Sequence, residues 1–314
     1  MLSSMYRLLN STVSRGGEHG RVHIFIFHRV LEKEDPLQPG EPGLSRFETI
    51  IKFISEVYNV ISIDDAVNCL KSGRLPKRAA CITFDDGYLD NYTNAFPVLK
   101  KYSIPATIFI ATDYIGRGIM WNDILIESVR GFNDKFSLPD IGIDLIDCNI
   151  PGNKKRLLNK LLPTIKYKEP GERQSLVNRI QTMTSYKPVG LMMDENEIKT
   201  LHQSNITIGA HTKSHPILAE LSREESHREI SGSKEQLENI INCNVDYFAY
   251  PNGNPGVDYS NKDIEIVKSL GFKAAMSTSK RITSYNDKLF ELPRFTPWDL
   301  NMHKFILRSL YYAL

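Results

Sequence analysis

Residues 81–88 of the chain read C-I-T-F-D-D-G-Y. An apolar, β-branched run stops there at two adjacent carboxylates, Asp85 and Asp86, which is typical of a buried strand that delivers charged groups to a site. Neighbouring carboxylates repel each other, and burying both without a partner costs on the order of several kcal/mol. The pair therefore predicts a nearby cation or a shared proton, with a plain turn at Asp86-Gly87 as the structural alternative.

Composition narrows the class of protein. With 314 residues, of which 41% are hydrophobic and 24% charged, the chain has room for one large α/β domain or two smaller ones. The formal net charge of +2 gives no bulk attraction to nucleic acid or to a membrane. The four cysteines are widely spaced and form no C-x-x-C pair, which disfavours a zinc finger or a disulfide framework.

The N-terminal residues read M-L-S-S-M-Y-R-L-L-N-S-T-V-S-R and contain no apolar core of the length that a secretory signal has. No stretch approaches the roughly 18 consecutive apolar residues of a membrane span. We predict a cytoplasmic protein with a flexible arm over residues 1–20. The alternative is that this arm touches a membrane surface through apolar side chains at Met5, Leu8, Leu9 and Val13.

Strand and helix patterns alternate along most of the chain, which predicts parallel βαβ units that close into a sheet or barrel. Ser45 is the predicted helix cap that follows the first strand, with Glu48 as its partner. Residues 115–200 interrupt the alternation as a largely helical insertion in a catalytic domain over 21–300, and 301–314 form a C-terminal helix. The predicted strands are Val22–Phe27, Val60–Ile63, 80–85, Ala106–Ala111, Ile206–Ala210, Tyr247–Tyr250, Phe272–Met276 and Phe290–Pro293.

His211 and His215, in G-A-H-T-K-S-H-P, are four residues apart. On one helical turn both imidazoles would project from the same side, at a separation that one divalent ion bridges. With Asp86 they would make a two-histidine, one-carboxylate set with open positions, which is typical of a catalytic metal. Zinc is the default ion, and the set also accommodates Fe, Co, Ni or Mn. Asp85 would then be free to accept a proton from the attacking water.

Two further candidates follow predicted strands. His28 comes directly after the first strand. If the site belongs to a hydrolase that expels an amine, this histidine could donate a proton to that amine near neutral pH. Arg294 comes after a late strand and could orient Asp85 through a charge-assisted hydrogen bond. A satisfied core histidine and a surface salt bridge are the respective structural alternatives.

Substrate contacts are predicted at a turn and at a tryptophan. In Y-F-A-Y-P-N-G, residues 247–253, the backbone N–H of Asn252 could face a developing oxyanion, because Pro251 has none, and Tyr250 lies beside it. A purely structural turn is the alternative. Trp121 could stack on a sugar ring or fill the core, and Trp298 is expected in the core.

T-F-D-D-G at 83–87 and H-T-K-S-H at 211–215 resemble the first and second motifs of the polysaccharide deacetylase family, the carbohydrate esterases with a NodB-homology domain. The similarity in layout covers roughly residues 22–298. It implies a distorted (β/α)7 barrel, a divalent metal that is usually zinc, and hydrolysis of an N-acetyl group from an amino sugar. Asp85 would be the base, and Asp86, His211 and His215 would hold the metal.

The chain departs from the family pattern at the third motif, which commonly reads R-x-P-Y-G. Here A-Y-P-N-G places Ala249 where the arginine would be, and Arg294 is the candidate substitute. The segment F-H-R-V at 27–30 resembles the Y-H-x-V of permuted, exopolysaccharide-type members. That resemblance implies that His28 is the acid.

Together these features predict a metal-dependent hydrolase that removes an acetyl group from an N-acetylated saccharide. An oligosaccharide or a lipid-linked precursor in surface-polysaccharide synthesis is the expected substrate, and no nucleic-acid partner is expected. The alternatives are hydrolysis of another amide or an O-acetyl ester on the same scaffold, and a catalytically silent saccharide-binding module. The sequence predicts no oligomeric state.

Overall fold

The computed structural model describes residues 6–7, 11, 14–187, 189–297 and 299–312. They belong to two compact units, each of which is described by itself. The larger unit comprises Met1–Glu34, Gly40–Gly116 and Met192–Leu314, and the smaller unit comprises Asp35–Pro39 and Arg117–Leu191. Trp298 and the arm residues with a predicted membrane contact, Met5, Leu8, Leu9 and Val13, lie outside the described residues.

The strands and helices are numbered in chain order. The strands are β1 (Arg21–Phe27), β2 (Asn59–Val60), β3 (Ala79–Phe84), β4 (Ala106–Ile110), β5 (Lys135–Leu138), β6 (Ile143–Asp147), β7 (Thr207–Ala210), β8 (Tyr247–Ala249), β9 (Ala274–Met276) and β10 (Thr283–Ser284). The helices are α1 (Leu44–Val57), α2 (Ile63–Ser72), α3 (Phe96–Lys101), α4 (Trp121–Gly131), α5 (Asn153–Lys166), α6 (Pro170–Thr184), α7 (Glu195–Gln203), α8 (Arg223–Ile241), α9 (Asn261–Ser269) and α10 (Met302–Tyr311).

The larger unit is built on a parallel sheet with the order β1-β3-β4-β7-β8-β9. β2 also pairs with β3, and β10 pairs antiparallel with β1. Every residue of β3 is buried, as the continuous apolar run of the sequence predicts for a strand covered on both faces. The carboxyl ends of the parallel strands therefore meet at one edge.

One segment closes the gap between β9 and β1. Leu292 forms a parallel bridge with Met276, and Phe295 forms one with Phe25. The Phe295 N–H donates to the Ile24 carbonyl at 2.8 Å. The predicted α/β fold, a distorted barrel, is thereby confirmed. The predicted strand Phe290–Pro293 is wrong in detail, because Leu289–Glu291 form a 3-10 turn and only single bridges follow.

Several predicted boundaries differ in the larger unit. Helix α1 begins after Gly43, which makes no side-chain cap, so Ser45 lies inside the helix and does not cap it. The segment that follows Tyr88 begins as a π-helix, Asn91–Ala95, before α3. Within the predicted flexible arm, the Ser14 carbonyl accepts a hydrogen bond from the Arg78 N–H at 3.0 Å.

The smaller unit contains three helices, α4 to α6, and the antiparallel pair β5-β6. The sequence predicted a largely helical insertion over 115–200. The smaller unit also contains the β5-β6 pair, and α7, which was predicted in the insertion, belongs to the larger unit. Trp121 begins α4 and packs against the apolar core of this unit, and the Arg173 guanidinium lies 5.6 Å from its ring centroid. These contacts favour the core interpretation of Trp121.

Within the described residues, no helix is long and apolar enough to cross a membrane.

His23, in the middle of β1, gives the fold a pH-dependent element. The ring is fully buried, its Nε2–H donates to the Ser309 carbonyl of α10 at 3.2 Å, and Nδ1 has no hydrogen-bond partner among the described residues. Protonation would create a buried N–H without an acceptor, so burial lowers the pKa of His23 to about 4, and the charge of Arg21 adds to this.

His23→Phe is expected to flatten the acid dependence of stability. Between pH 6.5 and 4 the unfolded chain binds more protons at His23 than the folded chain, so the free energy of unfolding falls as pH falls through this window. The shift corresponds to as much as about 3 kcal/mol. Urea unfolding at pH 7 and pH 4.5 measures the difference. An equal loss in both proteins would contradict the assignment.

Candidate active site

The candidate site lies where the parallel strands of the larger unit end. His28 follows β1, Asp85 and Asp86 follow β3, and His211 follows β7. Arg294 comes from the segment that closes the barrel. These polar side chains come together because the carboxyl ends of parallel barrel strands lie on one face of the barrel.

Asp86, His211 and His215 form a cluster with the geometry of a metal site. One ligand atom from each lies within 4.8 Å of the others. The Nε2 atoms of both histidines lie 3.4 Å from Asp86 Oδ1. That oxygen is buried and has no hydrogen-bond partner in the part of the chain that the structure describes. A buried carboxylate oxygen facing two imidazole nitrogens fits a divalent cation, so the residues fit the predicted metal.

A second interaction orients His211. Its Nδ1–H donates to the Ala249 carbonyl at 2.7 Å, which leaves Nε2 free to face Asp86. Burial alone lowers the pKa of His211, but the negative charges of Asp85 and Asp86 outweigh it and raise the pKa. Burial lowers the pKa of His215 to about 4 against the opposing effect of Asp86. His215 is therefore neutral at physiological pH, the form that binds a metal.

The two histidines do not lie on a helical turn, so that prediction is wrong. Residues 211–215 form a loop in which Thr212 has a φ of 63° and His215 a φ of 55°. Glu229 of α8 holds this loop: Oε2 accepts from the N–H groups of Lys213 and Ser214, both at 2.9 Å. A charged acceptor for two adjacent backbone donors stabilises a conformation that the residues by themselves disfavour.

Backbone conformation separates the two adjacent aspartates. Asp86 has a φ of 76° and Gly87 a φ of 88°, so the chain leaves the strand geometry immediately after Asp85. A Cβ at position 87 would lie 3.0 Å from Ile110 Cγ2, so both conformation and space favour glycine there. A left-handed aspartate is strained, and such strain is found at functional sites.

Asp85 is held by Arg294, the contact that the sequence suggested. The guanidinium donates to Asp85 Oδ1 at 2.6 Å and to Oδ2 at 2.7 Å, and the two residues are 2% and 1% exposed. The Arg294 Nε–H donates to the Ser277 carbonyl at 3.1 Å. Burial raises the pKa of Asp85, but the charge of Arg294 outweighs it and holds the pKa below its usual range. Asp85 thus stays ionised, with Oδ2 3.9 Å from His211 Nε2.

His28 lies beside this cluster and is partly exposed. A positive charge on its ring would stabilise the carboxylates of Asp85 and Asp86 and disfavour protonation of His215, so the four side chains are electrostatically coupled. The His28 carbonyl accepts a hydrogen bond from Asn91 Nδ2 at 2.8 Å.

Two substrate contacts, Asn252 and Tyr250, were predicted at the turn after β8, and the structure treats them differently. Asn252 has a φ of 58°, and its carbonyl accepts from the Thr278 hydroxyl at 2.7 Å. Its N–H has no hydrogen-bond partner within the described residues, so it is available as a donor. Tyr250 is fully buried, stacks on Tyr259 and donates its hydroxyl to the Phe290 carbonyl, so its side chain is not available to substrate.

Four polar residues that support the site were not predicted from the sequence. Glu229 anchors the histidine loop, and Asp90, Asn91 and Asn94 hydrogen-bond the segment that carries His28. The only sequence signal for the last three is their position just after the Asp-Asp-Gly motif.

Known proteins resemble the chain in sequence. The family model for polysaccharide deacetylase matches residues 72–275. The Bacillus subtilis protein YxkH, named as a polysaccharide deacetylase, is 23% identical over 276 residues, which are 87% of this chain and 70% of that protein. The poly-beta-1,6-N-acetyl-D-glucosamine N-deacetylase of Staphylococcus aureus is 42% identical over 73 residues, which are 23% of this chain and only 25% of that enzyme.

Solved structures share the fold. The Streptococcus pyogenes deacetylase PplD, solved in complex with acetate, aligns with a TM-score of 0.61 at 20% identity and covers 93% of this chain and 99% of its own. IcaB from Ammonifex degensii aligns with a TM-score of 0.59 at 16% identity and covers 93% of this chain and 97% of its own. The family model matches more than half of the length of this chain, so the chain belongs to the polysaccharide deacetylase family.

Proposed function

We propose that the protein is a metal-dependent deacetylase that hydrolyses the acetamide of an N-acetylated saccharide. The observation that carries the proposal is the buried Asp85–Arg294 pair lying beside the Asp86, His211 and His215 cluster. One ionised carboxylate is held off the cluster by an arginine, and a second belongs to the cluster. This division of roles suits a reaction that needs a base and a metal ligand in one cavity.

A divalent ion bound by Asp86, His211 and His215 would supply Lewis-acid chemistry, by polarising the substrate carbonyl and making water a better nucleophile near neutral pH. Zinc is the ion we propose, and Co, Ni, Fe or Mn also suit the donor set. His211 is preoriented by the Ala249 carbonyl, so its Nε2 needs no rearrangement to bind.

The remaining steps belong to side chains and backbone of this chain. Asp85 accepts a proton from the attacking water, and Arg294 fixes both carboxylate oxygens so that the accepting lone pair keeps its direction. The Asn252 N–H is available to the carbonyl oxygen as negative charge develops there. His28 donates a proton to the nitrogen as the C–N bond breaks, so that an amine leaves and acetate remains.

The name of the Staphylococcus aureus relatives supports an N-acetylglucosamine polymer or oligomer as substrate. That match covers a short part of the chain, so the sugar and its linkage belong to the proposal. An oligosaccharide or a lipid-linked precursor in surface-polysaccharide synthesis is the form that we propose.

The test is release of acetate from β-1,6-linked N-acetylglucosamine oligosaccharides. The metal-loaded protein is expected to release acetate, and removal of the ion with a chelator is expected to abolish this until Zn²⁺ or Co²⁺ is returned. The variant His211→Ala should not bind a stoichiometric amount of metal and should release no acetate.

Three results would contradict the proposal. Full activity after the metal is removed would exclude the metal role, and activity on O-acetyl sugars alone would favour an esterase. Saccharide binding without hydrolysis by metal-loaded protein would favour a silent binding module.

A further inference from the structure

The segment 27–30 is fastened to the chain that follows the Asp-Asp-Gly motif. Asn91 Nδ2 donates to the His28 carbonyl at 2.8 Å, Asp90 Oδ1 accepts from the Val30 N–H at 3.0 Å, and Asn94 Nδ2 donates to the Val30 carbonyl at 2.7 Å. Asp90, Asn91 and Asn94 are called the clamp residues below. They saturate the backbone on both sides of Arg29.

Arg29 adds two contacts of the same kind. Its Nε–H donates to Asp90 Oδ2 at 2.9 Å, and its backbone N–H donates to Glu41 Oε2 at 3.0 Å. Asn91 is fully buried and Asp90 is 8% exposed, so water does not compete freely for these bonds. A loop that follows a strand is normally free to shift, whereas this loop is held by hydrogen bonds at three consecutive residues, His28, Arg29 and Val30.

The clamp also ties the backbone of His28 to the stretch of chain that carries Asp85 and Asp86. Asp85 and Asp86 lie only a few residues before the clamp residues, and the Asp85 N–H donates to the Phe27 carbonyl at 3.0 Å. Asn91 and Asn94 lie in the π-helical turn Asn91–Ala95, and Asp90 immediately precedes it; such turns are frequent at functional sites. One short stretch of chain thus carries the base, a metal ligand and the groups that hold His28.

We propose that Asp90, Asn91 and Asn94 are positioning residues for proton donation by His28. The inference rests on the proposed function, since it assigns the clamp to the step in which the amine leaves. In that step the C–N electron pair goes to nitrogen, and the His28 ring supplies the proton that this pair takes up. A proton donor that moves by about 1 Å loses about 10²-fold in rate.

The clamp therefore predicts an effect that depends on the leaving group. An amine must be protonated to leave, whereas the 4-nitrophenolate of 4-nitrophenyl acetate leaves without a proton. Loss of the Asn91 side chain frees the His28 carbonyl and misplaces the ring, but it leaves Asp85, Arg294 and the metal ligands intact. Damage to the whole site would instead lower both reactions.

The experiment compares Asn91→Ala with wild type on an N-acetylglucosamine oligosaccharide and on 4-nitrophenyl acetate, with each protein loaded with zinc. We expect kcat on the oligosaccharide to fall about 10²-fold with little change in KM, and activity on the aryl ester to stay within about threefold. Asn94→Ala should show a smaller loss with the same selectivity.

Thr93→Ala is the matched control. Thr93 lies on the same turn and is exposed, and its hydroxyl donates to the local Leu89 carbonyl at 3.4 Å, so its loss should change neither reaction. An equal loss on both substrates in Asn91→Ala would overturn the inference in favour of a structural role. Unchanged hydrolysis of the oligosaccharide would overturn it as well.

A second measurement does not depend on activity. The imidazole resonances of His28 in an NMR spectrum are expected to shift in Asn91→Ala and to stay in place in Thr93→Ala. If the wild type released no acetate from N-acetyl sugars, the proposed function would fail by itself, and the resonances would still decide the clamp. Unmoved His28 resonances in Asn91→Ala would overturn it.

Discussion

Asp85→Asn is expected to lower acetate release from N-acetyl oligosaccharides by 10²–10⁴-fold, the range typical of a lost general base. The amide has nearly the same shape but cannot accept the proton of the attacking water. The side chains of Asp86, His211 and His215 are untouched, so the variant should still bind one equivalent of metal. Initial rates of acetate release and a zinc titration measure the two quantities.

The control for this prediction concerns stability, because Asp85→Asn also leaves the buried Arg294 guanidinium without its counter-charge. Rates are compared at a temperature at which circular dichroism shows both proteins folded. His211→Ala should lose metal and activity together, which separates a missing base from a missing ligand. Wild-type rates in Asp85→Asn would exclude Asp85 as the base.

Arg294→Met is expected to destabilise the protein by about 3–5 kcal/mol, since it leaves a buried carboxylate unpaired. The guanidinium donates two bonds to Asp85, one to the Ser277 carbonyl and one to the Thr83 hydroxyl, and all three partners are buried. The pKa of Asp85 should rise, because the charge of Arg294 is what offsets its burial. Denaturant unfolding measures the loss of stability.

Arg179→Met provides a matched control. Arg179 also makes a bidentate pair, with Asp140, at 2.7 and 3.2 Å, but the two side chains are 48% and 50% exposed. Its loss should cost only about 0.2–1 kcal/mol. The double variant Asp85→Asn with Arg294→Met should be more stable than the sum of the two single losses predicts, because each removes the other's unpaired charge. Additive losses would contradict a coupled buried pair.

Local patterns predicted the parts of the fold that are set by neighbours in sequence. The continuous apolar run before Asp85 predicted a fully buried strand, and β3 is one. Ser62 caps α2 by accepting from the Asp65 N–H, a contact between residues only three positions apart. Such features depend on a few residues, so the chain carries them wherever it folds.

The errors arose where tertiary contacts override local preference. His211 and His215 have helical spacing, but Glu229 from the next helix along the chain holds their loop, in which Thr212 and His215 are left-handed, and residue spacing cannot reveal this contact. Tyr250 was predicted as a substrate contact beside a turn, yet its side chain is fully buried and stacks on Tyr259. The predicted strand Phe290–Pro293 is instead part of a segment that lies between β9 and β1 and pairs with each of them through a single bridge.

By itself the sequence determined the parallel α/β units and the kinds of groups at the carboxyl ends of their strands: two carboxylates after β3, and histidines after β1 and β7. The tertiary structure decided which of these groups meet. Arg294 reaches Asp85 across 209 positions of the chain, and Asn91 reaches His28 across 63. Barrel closure brings Arg294 to Asp85, and the direct pairing of β1 with β3 brings Asn91 to the His28 carbonyl. The sequence nominated the first pair and not the second, and both bonds form only when the elements between the two residues have folded.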